Sequence, residues 1–184
     1  KYHTFLSKRF DRRDDGKRIH FASAMTLLGL MDGANAGTGN GYLDIVDFMI
    51  QGCTNVEVNL QELYRRVAFN ICVGNTDDHF RNHGFLLTPK GWTLSPAYDM
   101  NPTLNEQQSL LISSSSCESD LTILLDACED YMLSKDMATK IISEVVDTMK
   151  GWRQLAMRLQ ISKREIDLFA HRFDRYSSFV ISAV

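Results

Sequence analysis

Apolar residues recur at helical spacing along much of the chain. The clearest run is Leu60 to Val73, where Leu60, Leu63, Tyr64, Val67, Ala68 and Ile71 keep the i, i+3, i+4, i+7 pattern without a gap. The expected start is equally well written: Asn59 caps, Glu62 reaches back from the third helical position, and Val58 staples onto Leu63. Gly74 stops the helix and so delivers the next residues to a fixed place.

Upstream, Tyr2 to Phe10 alternates and is rich in aromatic residues, which predicts a short strand before the charged turn Asp11 to Lys17. Phe21, Met25 and Leu28 predict a helix over 19–28 that ends at Gly29. The stretch 32–41 holds four glycines in ten residues and reads as a mobile loop, followed by a helix marked by Tyr42, Ile45, Val46 and Met49 and closed by Gly52. The loop resembles a phosphate-binding glycine motif, but such loops follow a strand, and here a helix precedes it.

Downstream, Phe85 to Leu87, the turn Thr88 to Gly91 and Trp92 to Leu94 read as a β-hairpin. Gln107 to Ser116 is polar and serine-rich around Leu110, Leu111 and Ile112, compatible with a loop or a short edge strand. The rest is helical: 120–132 behind Ser119, a long helix over 135–159, and a last one from Lys163 to about Ile181 behind the capping box Ser162 to Glu165. Trp92, Trp152, Phe169, Phe173, Tyr176 and Phe179 have core-like spacing, so packing accounts for them.

Composition narrows the classes. At 184 residues, 44% hydrophobic and 23% charged, the chain fits one soluble globular domain. A formal charge of −3 gives no basic excess, which argues against direct nucleic-acid or anionic-membrane binding. Cys53, Cys72, Cys117 and Cys128 are widely spaced with no C-x-x-C pair, as expected of reduced thiols. With no bilayer-length apolar run and no secretory signal pattern, the expected location is cytoplasmic. The chain begins at Lys1 rather than methionine, straight into a strand-like run, so it is expected to be a piece of a longer protein.

The chemistry concentrates in Gly-Asn-Thr-Asp-Asp-His-Phe-Arg-Asn-His-Gly-Phe, which places Asp77, Asp78, His79, Arg81, Asn82 and His83 between a strong helix and a hairpin. Polar groups on a loop fixed at both ends are more often functional than the same groups on a solvated helix face. Protein kinases place an aspartate five residues before an asparagine, then a second metal-binding aspartate. Asp77 and Asn82 have that spacing, and Asp99 follows the hairpin. Phosphoryl transfer needs a carboxylate to orient and deprotonate the attacking hydroxyl and oxygen ligands to hold Mg²⁺ against the phosphates. Asp77 is the expected base, with Asn82 and Asp99 on the metal; Arg81 balances charge on the transferred group, and His79 supports the loop or the substrate.

N-T-D-D-H-F-R-N-H-G-F followed by L-S-P-A-Y-D-M resembles the HipA kinases, whose signature is similar to D-x-H-x-K-N followed by P-x-Y-D. The upstream Lys-Arg-Phe-Asp-Arg at 8–12 fits as well. The resemblance implies an α+β, predominantly α fold: a protein-kinase-like C-terminal lobe over 1–184 with a small β-hairpin at the cleft. It divides into a hinge strand over 1–12, a catalytic core over 19–100 with its loop at 74–84, and a helical tail over 101–184. It further implies that main-chain groups of Lys8, Arg9 and Phe10 border the adenine of ATP, with Asn82 and Asp99 also on the nucleotide side through Mg²⁺. Arg81 stands where the family has lysine, which keeps charge but changes geometry.

The implied function is an ATP-dependent serine/threonine kinase of bacterial toxin–antitoxin pairs. Its implied partners are a protein substrate, an aminoacyl-tRNA synthetase among the possibilities, and a HipB-like helix-turn-helix antitoxin. The small N-terminal lobe with its phosphate-binding loop and lysine is not in this sequence, so the segment by itself is expected to be inactive. Other readings remain open: a non-catalytic pseudokinase that binds an antitoxin, or a small-molecule phosphotransferase of the aminoglycoside-kinase type. Asp77, Asn82 and Asp99 also fit plain Asx turns, and His79 and His83, four apart beside Asp78, fit a zinc site.

Overall fold

The computed structural model describes residue 4 and residues 6–179, and its first regular element is a strand where apolar spacing predicts a helix. β1 (Phe21–Ser23) leads into a single-turn helix, α1 (Ala24–Leu27). Phe21, Ala22 and Ser23 pair antiparallel with Leu86, Phe85 and Gly84, and this cross-strand pairing overrides a helical pattern only three residues deep. The strand expected over 2–10 lies partly outside the described residues. Its described part, Thr4 and Leu6 to Phe10, forms no strand, and Phe10 lies in a turn. Charged side chains there find local partners instead, with Arg9 gripping both Asp11 oxygens and Lys8 reaching Asp14.

The glycine-rich stretch is more ordered than its composition suggests. Ala36–Thr38 form a 3₁₀ turn with a reciprocal capping box between Asn35 and Thr38. The Ala36 amide donates to the Ser109 carbonyl at 2.7 Å and the Leu111 amide to the Asn40 carbonyl at 3.1 Å. A Cβ on Gly41 would lie 2.5 Å from the Leu111 carbonyl oxygen, so only glycine permits this approach. The segment 107–116 is therefore a loop making isolated bridges, anchored by fully buried Leu110 and Ile112.

α2 (Tyr42–Gly52) matches the expected helix. α3 (Val56–Val73) starts earlier than expected: Asn55, at φ 48°, occupies the cap without a side-chain bond. Asn59 is no cap, because its side chain is buried and committed to β3, and Glu62 pairs with Arg66 instead of reaching back. Val58 is exposed and staples nothing. Leu60, Leu63, Tyr64, Val67, Ala68 and Ile71 are all buried, each large side chain contributing about 1.5–3 kcal/mol by leaving water.

β2 (Gly84–Thr88) and β3 (Gly91–Leu94) form the expected hairpin, and with β1 they make a three-stranded antiparallel sheet in the order β1-β2-β3. α4 (Leu121–Asp126), capped by Asp120, gives way to a 3₁₀ turn at Cys128–Tyr131, so the expected helix over 120–132 is shorter than its pattern. The long helix expected over 135–159 is two: α5 (Lys135–Met149) and α6 (Trp152–Arg158), broken at Gly151, whose φ of −90° and ψ of 2° leave the helical path. α7 (Lys163–Phe173) has the expected Ser162–Glu165 capping box but ends at Asp174; residues beyond 179 lie outside those described.

α3 is the central element and packs most extensively against α5, with α2, α4 and the hairpin around it. Tyr64 and Tyr131 meet edge to face at 5.2 Å in this core. Tyr176 is also buried there, whereas Trp152, Phe169 and Phe173 build a separate aromatic cluster between α6 and α7. The fold is mixed α/β with helices predominating. Among the described residues no helix is long and apolar enough to cross a membrane.

Candidate functional site

α3 ends at Gly74, whose φ of 68° turns the chain while its amide satisfies the Asn70 and Ile71 carbonyls. The following residues are nailed down one after another. The Asn75 amide and side chain both bond Asn70, at 2.9 and 3.1 Å. The Thr76 carbonyl accepts from the Ser109 amide and hydroxyl, each at 2.9 Å, and its hydroxyl meets that of Thr103.

Asp77 then breaks the run of buried residues. It is exposed between buried Thr76 and Asp78, and its carboxylate makes no hydrogen bond or ion pair with any described residue. It lines a cavity of about 820 Å³ together with Thr76, Thr103, Asn105, Gln108 and Ser109. Asn82 is brought to Asp77 directly: its side-chain amide donates to the Asp77 carbonyl at 3.3 Å, which leaves its own amide oxygen uncommitted.

Asp78 faces the other way. One of its oxygens accepts from the Tyr42 hydroxyl at 2.7 Å, the Asn70 amide at 2.7 Å and His83 Nε2 at 2.8 Å. Burial acts to raise this carboxyl, but His83 and Tyr42 outweigh it and hold it below its ordinary value. Burial and the Asp78 charge together raise the Tyr42 phenol well above its own ordinary value, so it remains a donor. His83 is thus a buried partner of Asp78 rather than a free ligand. Among the described residues no group of three or more His, Cys, Asp or Glu side chains is arranged to hold a metal ion. His79 is half-buried, with Nδ1 lacking a partner among the described residues.

Arg81 is exposed and paired with Asp32 at the head of the glycine-rich stretch. Its carbonyl accepts from the Tyr98 hydroxyl at 2.6 Å, tying the Asp99 segment to the loop. Asp99 itself has φ 55°, a left-handed conformation that costs a non-glycine residue about 1–2 kcal/mol. Asn101 donates to one of its oxygens at 2.7 Å.

Of the three residues at 8–10, Phe10 makes the ring contacts and Arg9 borders the same recess. The Phe10 ring lies 5.8 Å from both Phe21 and Tyr98, and the three line an apolar recess of about 220 Å³ with Arg9 and Asp11. A Cβ on Gly84 would lie 2.2 Å from the Phe21 ring, so glycine there lets the ring reach this recess. Arg9 is occupied with Asp11, whose carboxyl that hydrogen bond pulls down to about 2, and Lys8 is exposed beside Asp14.

Against known proteins, the family model described as the HipA-like C-terminal domain matches residues 1–153. The chain belongs to this family. The HipA-like match takes in the whole loop, Asp99 and the helices down to α5, and ends at the start of α6. The serine/threonine-protein kinase toxin HipA of Shewanella oneidensis is 31% identical over 117 residues, covering 54% of this chain and 27% of that protein. A putative kinase of Haemophilus influenzae is 29% identical over 101 residues, covering 52% and 29%. The chain therefore spans less than a third of the curated relatives it matches. A chain in the solved complex of Shewanella oneidensis HipA, HipB and operator DNA superposes with a TM-score of 0.75, at 18% identity, over 93% of this chain and 46% of that one. That likeness establishes a shared fold.

Proposed function

We propose that this chain is the C-terminal lobe of an ATP-dependent serine/threonine kinase of the HipA type, a protein-kinase-like lobe whose catalytic loop is 74–84. The observation that carries the reading is the geometry at Asp77: an unengaged carboxylate on a loop anchored on both sides, hydrogen-bonded through its carbonyl to Asn82 and tied through Tyr98 to Asp99.

In the reaction the γ-phosphoryl group passes from ATP to a protein hydroxyl, the hydroxyl proton goes to Asp77, and ADP leaves. Asn82 and Asp99 suit Mg²⁺: each keeps an oxygen free of described partners, and one carboxylate with one amide is an adequate protein share of its shell. The metal supplies charge neutralisation for the phosphates. Asp77 orients the acceptor, and Arg81, once released from Asp32, stands beside Asn82 to balance charge on the transferring group. His79 supports the loop from its half-buried position.

The recess between Phe10, Phe21 and Tyr98 offers flat apolar walls to a base, which supports residues 1–12 as the hinge; 101–184 is the proposed tail, its described regular elements all helical. A complete ATP site also needs a phosphate-binding loop and lysine from an N-terminal lobe. The acceptor-side cavity favours a protein over an aminoglycoside. Its lining is mostly hydroxyls and amides, Glu106 is paired with Arg172 and Arg175, and Asp77 is the one lining carboxylate left unpaired among the described residues, whereas a polycation calls for several. The relative solved with HipB and operator DNA supports a HipB-like antitoxin as partner of the whole protein.

The test is γ-phosphate transfer from labelled Mg·ATP by the natural-length protein, beside Asp77→Ala and Asp99→Ala. Transfer abolished by both substitutions is expected; transfer that survives them, or none by the folded wild type, overturns the reading.

A further inference from the structure

The half of the loop that turns away from the cleft has a role of its own. In the run 74–78 only Asp77 is exposed; Asn75, Thr76 and Asp78 are 1%, 2% and 3% exposed. A solvent-facing residue can hold its place only as well as its neighbours are held. Thr76 is fixed by Ser109 and Thr103, and Asp78 is fixed by three donors on one oxygen.

Those three donors come from three separate elements: Tyr42 from the first turn of α2, Asn70 from the last turn of α3, and His83 from the end of the loop before β2. Tyr42 and His83 also meet ring edge to face at 5.6 Å, so the donors are themselves packed. A core that merely needed filling would take an apolar side chain at this position, since burying a carboxylate costs several kcal/mol unless it is fully compensated. What the carboxylate adds is a convergence point that fixes α2, α3 and the loop in one register.

We infer that Asp78 is a positioning residue: its buried oxygen clamps the loop so that Asp77 is held toward the acceptor cavity, and it takes no part in proton transfer. This rests on the kinase reading above. The role is hydrogen-bond acceptance at one oxygen, which an amide oxygen also provides. The adjacent Asp77, by contrast, depends on its charge. A clamp that tolerates an amide is thereby distinguished from a base that does not.

The experiment uses the natural-length protein with Asp78→Ala, Asp78→Asn and Tyr42→Phe, reading steady-state phosphoryl transfer and amide hydrogen exchange of the peptide covering 74–84. Asp78→Ala should lower kcat about 100-fold while KM for Mg·ATP stays within about twofold, because misplacing a reacting group by an ångström costs that much. Asp78→Asn should restore most of kcat, and exchange in 74–84 should rise in the alanine variant only. Equal losses in the alanine and asparagine variants would overturn the clamp in favour of a charge role, and an unchanged kcat would overturn it outright. If Asp78→Ala does not fold, Tyr42→Phe decides: a fall in kcat at constant KM supports the clamp, and no fall refutes it. An inactive wild type would remove the kinase reading alone; the exchange comparison would still stand, with unaltered exchange in the alanine variant refuting the clamp.

Discussion

The phenol of Tyr98 donates to the main-chain carbonyl of Arg81 at 2.6 Å, so the residue before Asp99 is bonded to the residue before Asn82. The two proposed metal-side groups flank the β2–β3 hairpin, whose ladder and the Ser95 amide to Gly84 carbonyl bond bring their segments together, and the Tyr98 bond adds a tether beside the groups themselves. Burial raises the phenol to about 12, so the donor keeps its proton at every pH at which the protein would be assayed.

Tyr98→Phe should therefore keep the ring that walls the apolar recess and lose only the tether. Stability should fall by about 0.5–1.5 kcal/mol in urea denaturation. Turnover should fall roughly tenfold with KM for ATP within about twofold, as expected when a ligand is misplaced and the base site is intact. An unchanged turnover would show that Asp99 is placed without Tyr98.

The acid limb of stability offers a second check on Asp78. Its folded-state value lies below the ordinary 3.8, so its contribution is fully present above that value and is lost as pH falls through the lower folded one. Wild type should exceed Asp78→Asn in stability by on the order of 1 kcal/mol near neutral pH. The gap should shrink below about pH 4 as wild-type Asp78 takes up a proton. Urea denaturation of both proteins across that range is the measurement, and a gap that widens toward acid would mean that the carboxyl is raised, not lowered.

Much of the candidate site's local geometry was legible from the chain alone, because loop chemistry is local: the approach of Asn82 to Asp77, the Gly74 stop and the hairpin all depend on near neighbours. What holds the site was not. Tyr42 stands 36 positions from Asp78 and reads as an ordinary apolar helix residue, so nothing in its neighbourhood reveals the hydrogen bond it makes. Phe21 shows the same limit in the fold, since its helical spacing yields to pairing with Leu86. The break at Gly151 was visible as a glycine, but a single glycine inside a helical pattern does not by itself say that the chain turns. The pairing of Arg81 with Asp32, an aspartate 49 positions away, was equally invisible in the chain.

Asn59 is where sequence logic and structure part most sharply, and the difference can be measured. The pattern makes it a replaceable surface cap, worth about 1 kcal/mol. In the structure it is 5% exposed. Its amide donates to the Thr54 and Asn55 carbonyls at 2.6 and 3.1 Å, and its oxygen accepts from the Leu94 amide at 2.8 Å and the Thr93 hydroxyl at 3.1 Å. It thus locks the start of α3 to β3. Asn59→Ala leaves the Leu94 amide without its acceptor and should cost about 2–3 kcal/mol in denaturant unfolding. Asn59→Asp retains the acceptor but turns a carboxylate onto two carbonyl oxygens, so it should cost more than alanine near neutral pH. Because that carboxyl would be raised in the folded state, the cost should ease as pH falls through its folded value and the group regains a donor. A cap at a solvated helix end would behave in the opposite way, with aspartate tolerated at neutral pH and alanine the costlier of the two.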